Sequence, residues 1–336
     1  MATKDIVVIG GSTGSGAVLR ELVSGLPAEF PGSLFIATHV PSEAGTHLAD
    51  SLERFCPFPV AAAIDGQPIE RGRAYVAVPD RHLLVIDGTV RLGDGPRENL
   101  TRPSIDPLFR SAALSYGPRV VGVLLSGMLN DGASGLWAIK ECGGTAVVQH
   151  PLDAESDEMP LAALEAVNAD EVAPAAQLGE VIRRLVEDGA EGAPTCPGSV
   201  ALEVKIAAGS RLGAQELRKI ADPSALSCPE CHGVLSEVRD QHPLRYRCQI
   251  GHAHTAAVLA ERADEVDEAM SIALRVMEER VTLVTRMAKD ARSAGRQAVA
   301  DLYESRAEEY ARYAAVLREA ALQAIRLGHL RREQNL

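Results

Sequence analysis

Gly10-Gly11-Ser12-Thr13-Gly14 follows the apolar run Ile6-Val7-Val8-Ile9 directly and precedes a helix-like segment. In that strand-turn-helix setting a G-x-S-x-G pattern can lift the Ser12 hydroxyl clear at the carboxyl end of a sheet, and the next amide, on Thr13, can donate to an oxyanion. The flanking glycines permit a strained turn and close approach of a substrate. The same residues also read as a loosened phosphate-binding turn, since Gly11 to Gly16 approximates a dinucleotide fingerprint. A dinucleotide fold, however, ends its second strand in an acidic residue, whereas here the run from Leu34 to Thr38 ends in His39, a candidate general base for Ser12. Taken alone, His39 also reads as a surface histidine at a strand end. No Lys-Ser or Lys-Thr follows the turn, which disfavours a P-loop. Asp131 lies in a loop after the run Val120 to Leu125, where it can accept the second imidazole proton and fix the tautomer. Its plainer reading is a cap for a helix beginning near Ser134.

A second set of chemical residues lies far along the chain. Cys228-Pro-Glu-Cys231 and Cys248-Gln-Ile-Gly-His252 form C-x2-C-x16-C-x3-H, the spacing of a zinc ribbon. Four protein ligands close a tetrahedral sphere and leave no position for water, so the expected zinc is structural, and none is required for catalysis. His254 is an alternative fourth ligand, and His232 reads as solvent-exposed. The other three cysteines are scattered, and no disulfide framework is expected.

The elements that must hold these residues follow from periodicity. Short Val/Ile/Ala-rich runs alternate with amphipathic stretches through residue 190, the pattern of an α/β, doubly wound, mostly parallel, Rossmann-like sheet. Strands are expected at Ile6 to Ile9, Leu34 to Thr38, Val60 to Ile64, Ala74 to Val78, Val120 to Leu125 and Ala146 to Gln149. Helices are expected at Ala17 to Leu26, Leu48 to Phe55, Asp106 to Tyr116 and Ser134 to Cys142, and Asp87-Gly88-Thr89 turns a hairpin. The turn-formers from Glu191 to Gly198 mark a boundary. This gives a sheet domain over 1–190, a linker over 191–222, a zinc-ribbon-like module over 223–256 and a helical hairpin over 257–336. A stripe at Leu259, Ala263, Val266, Met270, Ala273, Met277, Val281, Val284 and Ala288 lines the first helix of that hairpin, and Gly295 divides it from the second.

Composition sets bounds on partners. A formal charge of -12 repels a phosphate backbone and argues against nucleic acid. No apolar run reaches the roughly 18 residues needed to span a bilayer, and no secretory leader is recognisable, so a cytoplasmic location without membrane insertion is expected.

Taken together, the loops resemble the catalytic domain of the chemotaxis protein-glutamate methylesterase (CheB) family. The resemblance rests on Gly-Gly-Ser-Thr-Gly at 10–14, Thr-His-Val-Pro at 38–41, Arg-Pro-Ser-Ile-Asp-Pro-Leu-Phe at 102–109 and Leu-Leu-Ser-Gly-Met-Leu-Asn-Asp-Gly-Ala at 124–133. It implies Ser12 as nucleophile, His39 as general base and Asp131 as its orienting carboxylate. Thr13 and Met128 would flank the oxyanion, and Arg102 would have a substrate-side role, beside the alternative of Pro103 and Ser104 starting a helix. The implied reaction is hydrolysis of a glutamate γ-methyl ester on a methylated chemoreceptor or related signalling protein, with receptor glutamine deamidation as a side activity. The sequence departs from the family's familiar arrangement in having no receiver domain before the esterase. The cysteine-rich and helical extension suggests a docking partner or self-association. The rival readings are an esterase fold kept as a binding scaffold, and a serine hydrolase acting on another ester.

Overall fold

Runs of Val, Ile and Ala that are buried on both faces build a seven-stranded, all-parallel sheet in the computed structural model, which describes residues 2–39, 47–190, 192, 195–211, 213–239, 242–261 and 263–334. Its strands are β2 (Ile6–Gly11), β3 (Ser33–Thr38), β4 (Val60–Ala62), β5 (Arg73–Val76), β8 (Val120–Leu124), β9 (Thr145–Gln149) and β10 (Glu171–Ala173), in the spatial order β10-β9-β8-β2-β3-β5-β4. Side chains alternate across the sheet, so Ile6 and Val8 of β2 enter one core and Val7 and Ile9 the other. Each such burial contributes about 1.5–3 kcal/mol. Helices α3 (Ile105–Tyr116), α4 (Ala133–Glu141), α5 (Glu158–Ala166) and α7 (Gly198–Ala207) cover the first face. Helices α1 (Ser15–Ser24), α2 (His47–Glu53) and α6 (Ala175–Glu187) cover the second. The doubly wound fold thus agrees with the sequence reading. Strand β1 (Ala2–Thr3) pairs with β11 (Gly189–Ala190), closing the sheet domain near the expected boundary.

Several elements differ from expectation. The sequence reading assigns no elements to β10, α5 and α6, because their apolar positions are few in β10 and spread among alanines in α5. The expected linker over 191–222 is not a bare connection. Within it α7 buries Val200 and Val204, four residues apart, in the sheet domain's core, and α8 (Ala214–Leu217) buries Leu217. Turn-formers at 191–198 hid this helix; Glu191, Ala193 and Pro194 of that stretch lie outside the described residues, as do Val40 and Pro41. Cys142, at the end of α4, and Cys196, before α7, form a disulfide across 54 residues, contrary to the sequence reading, since only the packing of α7 brings the two together. The hairpin of β6 (His82–Ile86) and β7 (Thr89–Gly93) forms as expected, with Asp87 and Gly88 at φ of 44° and 80°.

The cysteine-rich segment is an antiparallel sheet of β12 (Ala221–Ser227), β13 (Val234–Val238), β14 (Arg245–Cys248) and β15 (Ala253–Thr255). It belongs to the same compact unit as the parallel sheet, Met1–Leu259, rather than standing apart as the sequence suggested. A second unit, Ala260–Leu336, holds the hairpin of α10 (Ala263–Ser293) and α11 (Gln297–Gln334), with Gly295 at φ 72° between them. Among the described residues Ala288, Ala291, Ala300 and Ala314 are buried in it, and Arg280 lies over the Tyr310 ring at 5.8 Å. Met270, Ala273, Met277, Val281 and Val284 of the expected stripe are partly covered, while the side chains of Ala263 and Val266 lie outside the described residues.

Candidate active site and Cys-His cluster

The sheet order turns at β2, and loops leaving the carboxyl ends of β8, β2 and β3 meet there, the usual crevice of an open α/β sheet. Ser12 follows β2, His39 follows β3, and Asp131 lies in the loop between β8 and α4. The structure brings the three together: Ser12 Oγ is 3.0 Å from His39 Nδ1, and His39 Nε2 is 2.7 Å from Asp131 Oδ2. An ionised carboxylate only accepts, so Nε2 carries the proton and Nδ1 offers its lone pair to the Ser12 hydroxyl. This exchanges the two ring nitrogens relative to the Ser-His-Asp template but preserves its logic. Along the chain of contact, exposure falls from 21% for the His39 side chain to 2% for that of Asp131.

The Ser12 turn is fixed from both sides. Its N–H donates to Ser126 O at 2.9 Å, and its carbonyl accepts from Ser15 Oγ at 2.6 Å. The expected backbone strain does not fall on Ser12: the positive φ of this turn, 78°, belongs to Gly14, the residue that tolerates it. Across the cleft, Gly127 comes so close that a Cβ there would lie 2.8 Å from Ser12 Cβ. Thr13 and Met128 sit on these two linked loops and are exposed, Met128 by 53%. Ser126 Oγ donates to Thr13 O at 2.8 Å, and buried Gln149 accepts from Ser126 N at 2.8 Å.

Asp131 is held by a cradle of donors rather than capping a helix itself. The N-cap of α4 is Gly132. The N-terminus of α3 supplies Ile105 N–H at 2.7 Å and Asp106 N–H at 3.3 Å, Ser104 Oγ donates at 2.8 Å, and Asn99 Nδ2 at 3.1 Å. Burial pushes the Asp131 carboxyl up, but the His39 bond and these donors outweigh it and hold it below the usual carboxylate range. The 102–109 segment therefore supports the carboxylate. Ser104 spends its hydroxyl on Asp131 instead of capping α3, and Pro103 lies outside that helix's first turn. Arg102 of the same segment is partly buried, and its Nη1 donates to Gly95 O at 3.0 Å.

Beneath the cradle lies a charged layer that sequence reasoning missed. Arg110 of α3 pairs with Glu98, and Arg245 of β14 pairs with Glu203 of α7 and Ser134 of α4. Arg247 Nη2 donates to Glu98 and Glu203, both at 2.9 Å, and all these charged side chains are at most 1% exposed. Asp106 accepts from Gly135 N–H at 2.6 Å. Burial, reinforced by the charge of Asp131, pushes the Asp106 carboxyl up to about 7. The one sequence signal for this layer is Arg245-Tyr246-Arg247, where strand alternation puts both guanidiniums on one face.

The four sequence-chosen thiol and imidazole donors also converge. Donor atoms of Cys228, Cys231, Cys248 and His252 all lie within 4.8 Å of one another. Cys231 Sγ is 3.6 Å from Cys248 Sγ, and His252 Nδ1 is 3.7 and 3.5 Å from the sulfurs of Cys228 and Cys248. His254 Nε2 comes within 3.8 Å of Cys228 Sγ but stands outside that four-residue group, and His232 is exposed.

The sequence profile of the family described as CheB methylesterase matches residues 7–182. The chain is 37% identical over 188 residues to a putative protein-glutamate methylesterase/protein-glutamine glutaminase of Leptospira interrogans, covering 56% of this chain and 97% of that one. It is 38% identical over 184 residues to protein-glutamate methylesterase/protein-glutamine glutaminase 2 of Anaeromyxobacter dehalogenans, covering 55% of this chain and 54% of that one, so it spans about half the length of that relative. The crystal structure of the Thermotoga maritima CheB methylesterase catalytic domain superposes with a TM-score of 0.53 at 32% identity, covering 55% of this chain and all of that one. The matched span contains Ser12, His39 and Asp131, and the chain belongs to the CheB methylesterase family.

Proposed function

We infer that this chain hydrolyses glutamate γ-methyl esters on a chemoreceptor-type signalling protein, with Ser12 as nucleophile, His39 as general base and Asp131 as its orienting carboxylate. The carrying observation is the continuous hydrogen-bonded line from Ser12 Oγ through His39 to the cradled Asp131. Ser12 Oγ attacks the ester carbonyl while His39 Nδ1 takes its proton. The tetrahedral intermediate expels methanol, which leaves with that proton. His39 then deprotonates a water that opens the acyl-enzyme, returning free Ser12 and a glutamate side chain. Amides of the loops holding Thr13 and Met128 are the assigned oxyanion donors. The sequence of steps calls for no cofactor. A γ-carboxamide can follow the same route with ammonia leaving, and the names of both relatives favour that second activity.

No described helix is long and apolar enough to cross a membrane. The proposed setting is the cytoplasm, where a receptor's methylated segments would be met. Exposed Leu283, Leu302 and Val316 on the α10–α11 hairpin favour a docking role for that hairpin. The reading is tested by methanol release from a methyl-labelled receptor cytoplasmic domain: release that vanishes in Ser12→Ala supports it, and equal release from both proteins overturns it.

A further inference from the structure

We propose that Cys228, Cys231, Cys248 and His252 bind one divalent metal ion of the zinc type, and that this ion sets the esterase's activity by holding the strand that positions Asp131. The donor set fits the ion. A tetrahedron with zinc-sulfur bonds of about 2.3 Å and a zinc-nitrogen bond of about 2.0–2.1 Å has edges of roughly 3.5–3.8 Å. Three of the six edges, at 3.5, 3.6 and 3.7 Å, match that size, and all six lie within 4.8 Å.

The link to the active site is short. His252 leads directly into β15, and Ala253 O of that strand accepts from Asn99 N–H at 2.8 Å. Thr255 N–H donates to Asn99 Oδ1 at 3.1 Å, and Asn99 Nδ2 donates onward to Asp131 Oδ1 at 3.1 Å. Thr255 Oγ1 also donates to Asn130 Oδ1 at 2.7 Å, beside Asp131 in sequence. On the neighbouring strand, Cys248 directly follows Arg247, whose guanidinium is locked between Glu98 and Glu203. The two ends of the Cys248–His252 knuckle therefore continue within a few residues into Arg247 of the charged layer and, through Thr255 and Asn99, into the carboxylate. Asn99 is a positioning residue: one end of its amide reads the ribbon and the other holds Asp131. An unloaded ribbon loses the anchor of β15, Asn99 loses its acceptor contact, and Asp131 loses one donor together with the fixed orientation of His39.

The regulatory half of this proposal rests on Ser12 acting as an activated nucleophile, so its test reads the metal and the serine separately. The full chain is purified, its zinc counted by elemental analysis, and the metal replaced by cobalt(II), whose tetrahedral thiolate site absorbs strongly. Ser12 reactivity is followed with a fluorophosphonate, which needs no receptor substrate. The expected result is one zinc per chain, an intense cobalt spectrum, and labelling that falls at least tenfold after chelation and returns when zinc is restored. Asn99→Ala should keep its zinc but label slowly whether loaded or stripped, a loss of metal response that general destabilisation would not produce. Absence of bound metal in the purified chain overturns the site, and full-rate labelling of metal-stripped protein overturns the coupling. Normal, metal-responsive labelling without methanol release would instead overturn the substrate assignment and leave the coupling supported.

Discussion

The Ser12 corner and the Cys-His ribbon use polar groups in opposite ways. At the first, a buried carboxylate is surrounded by backbone and side-chain donors so that a partly exposed imidazole and a hydroxyl remain available to a substrate. At the second, four metal-type donors converge within 4.8 Å of one another, and Arg247 on the adjoining strand is locked between Glu98 and Glu203 with no exposed end. An open, pre-oriented site performs chemistry, whereas a closed one fixes position. The two meet at Asn99, and substitutions on either side should have different signatures.

The largest effect should come from Ser12→Ala, with a loss in kcat of about 10⁴-fold or more and unchanged stability, measured by methanol release and urea unfolding. Asp131→Asn should follow at roughly 10³–10⁴-fold, because an amide in the cradle favours the wrong imidazole tautomer. A small loss there would show that the cradle, rather than the carboxylate charge, carries the function.

On the ribbon side the effect should appear as stability. Glu203→Ala leaves Arg245 and Arg247 short of a buried partner and should cost about 3–5 kcal/mol by urea unfolding. Burial pushes the Glu203 carboxyl up, but Arg245, Arg110 and Arg247 outweigh it and hold it at about 2, below its usual 4.5. That contribution is present above pH 4.5 and is lost as pH falls through about 2. The smallest effect is expected for Asp106→Asn. Asp106 is raised from 3.8 to about 7, so its contribution is full below 3.8 and lost as pH rises through about 7. The variant should gain on the order of 2 kcal/mol relative to the parent between pH 5 and pH 8. Parallel unfolding curves at both pH values would show that Asp106 is not the proton-holding member of its pair with Asp131.

The sequence was most legible where spacing along the chain is itself the signal. The Gly-Ser-Gly turn, the strand-end His39, the Asp131 loop and the four metal-type ligands all lie on local patterns, and in the fold each set converges. What was hidden depends on contacts between distant segments. Helix α7 was concealed by turn-formers preceding Val200 and Val204, the Cys142–Cys196 bridge exists only through that helix's packing, and no local pattern singles out Glu98, Arg110 and Glu203, which meet only in the fold. The 102–109 segment was legible as a signature, but the support that Ser104 and the first amides of α3 give Asp131 was not.

The central claim, acyl transfer through Ser12, is tested most directly by running methyl-ester hydrolysis of a methylated receptor domain in ¹⁸O-labelled water with the intact protein and with Ser12→Ala. The account predicts unlabelled methanol, one ¹⁸O in each glutamate carboxylate formed, and no turnover by the variant. Labelled methanol, or turnover that survives the loss of Ser12, would contradict it.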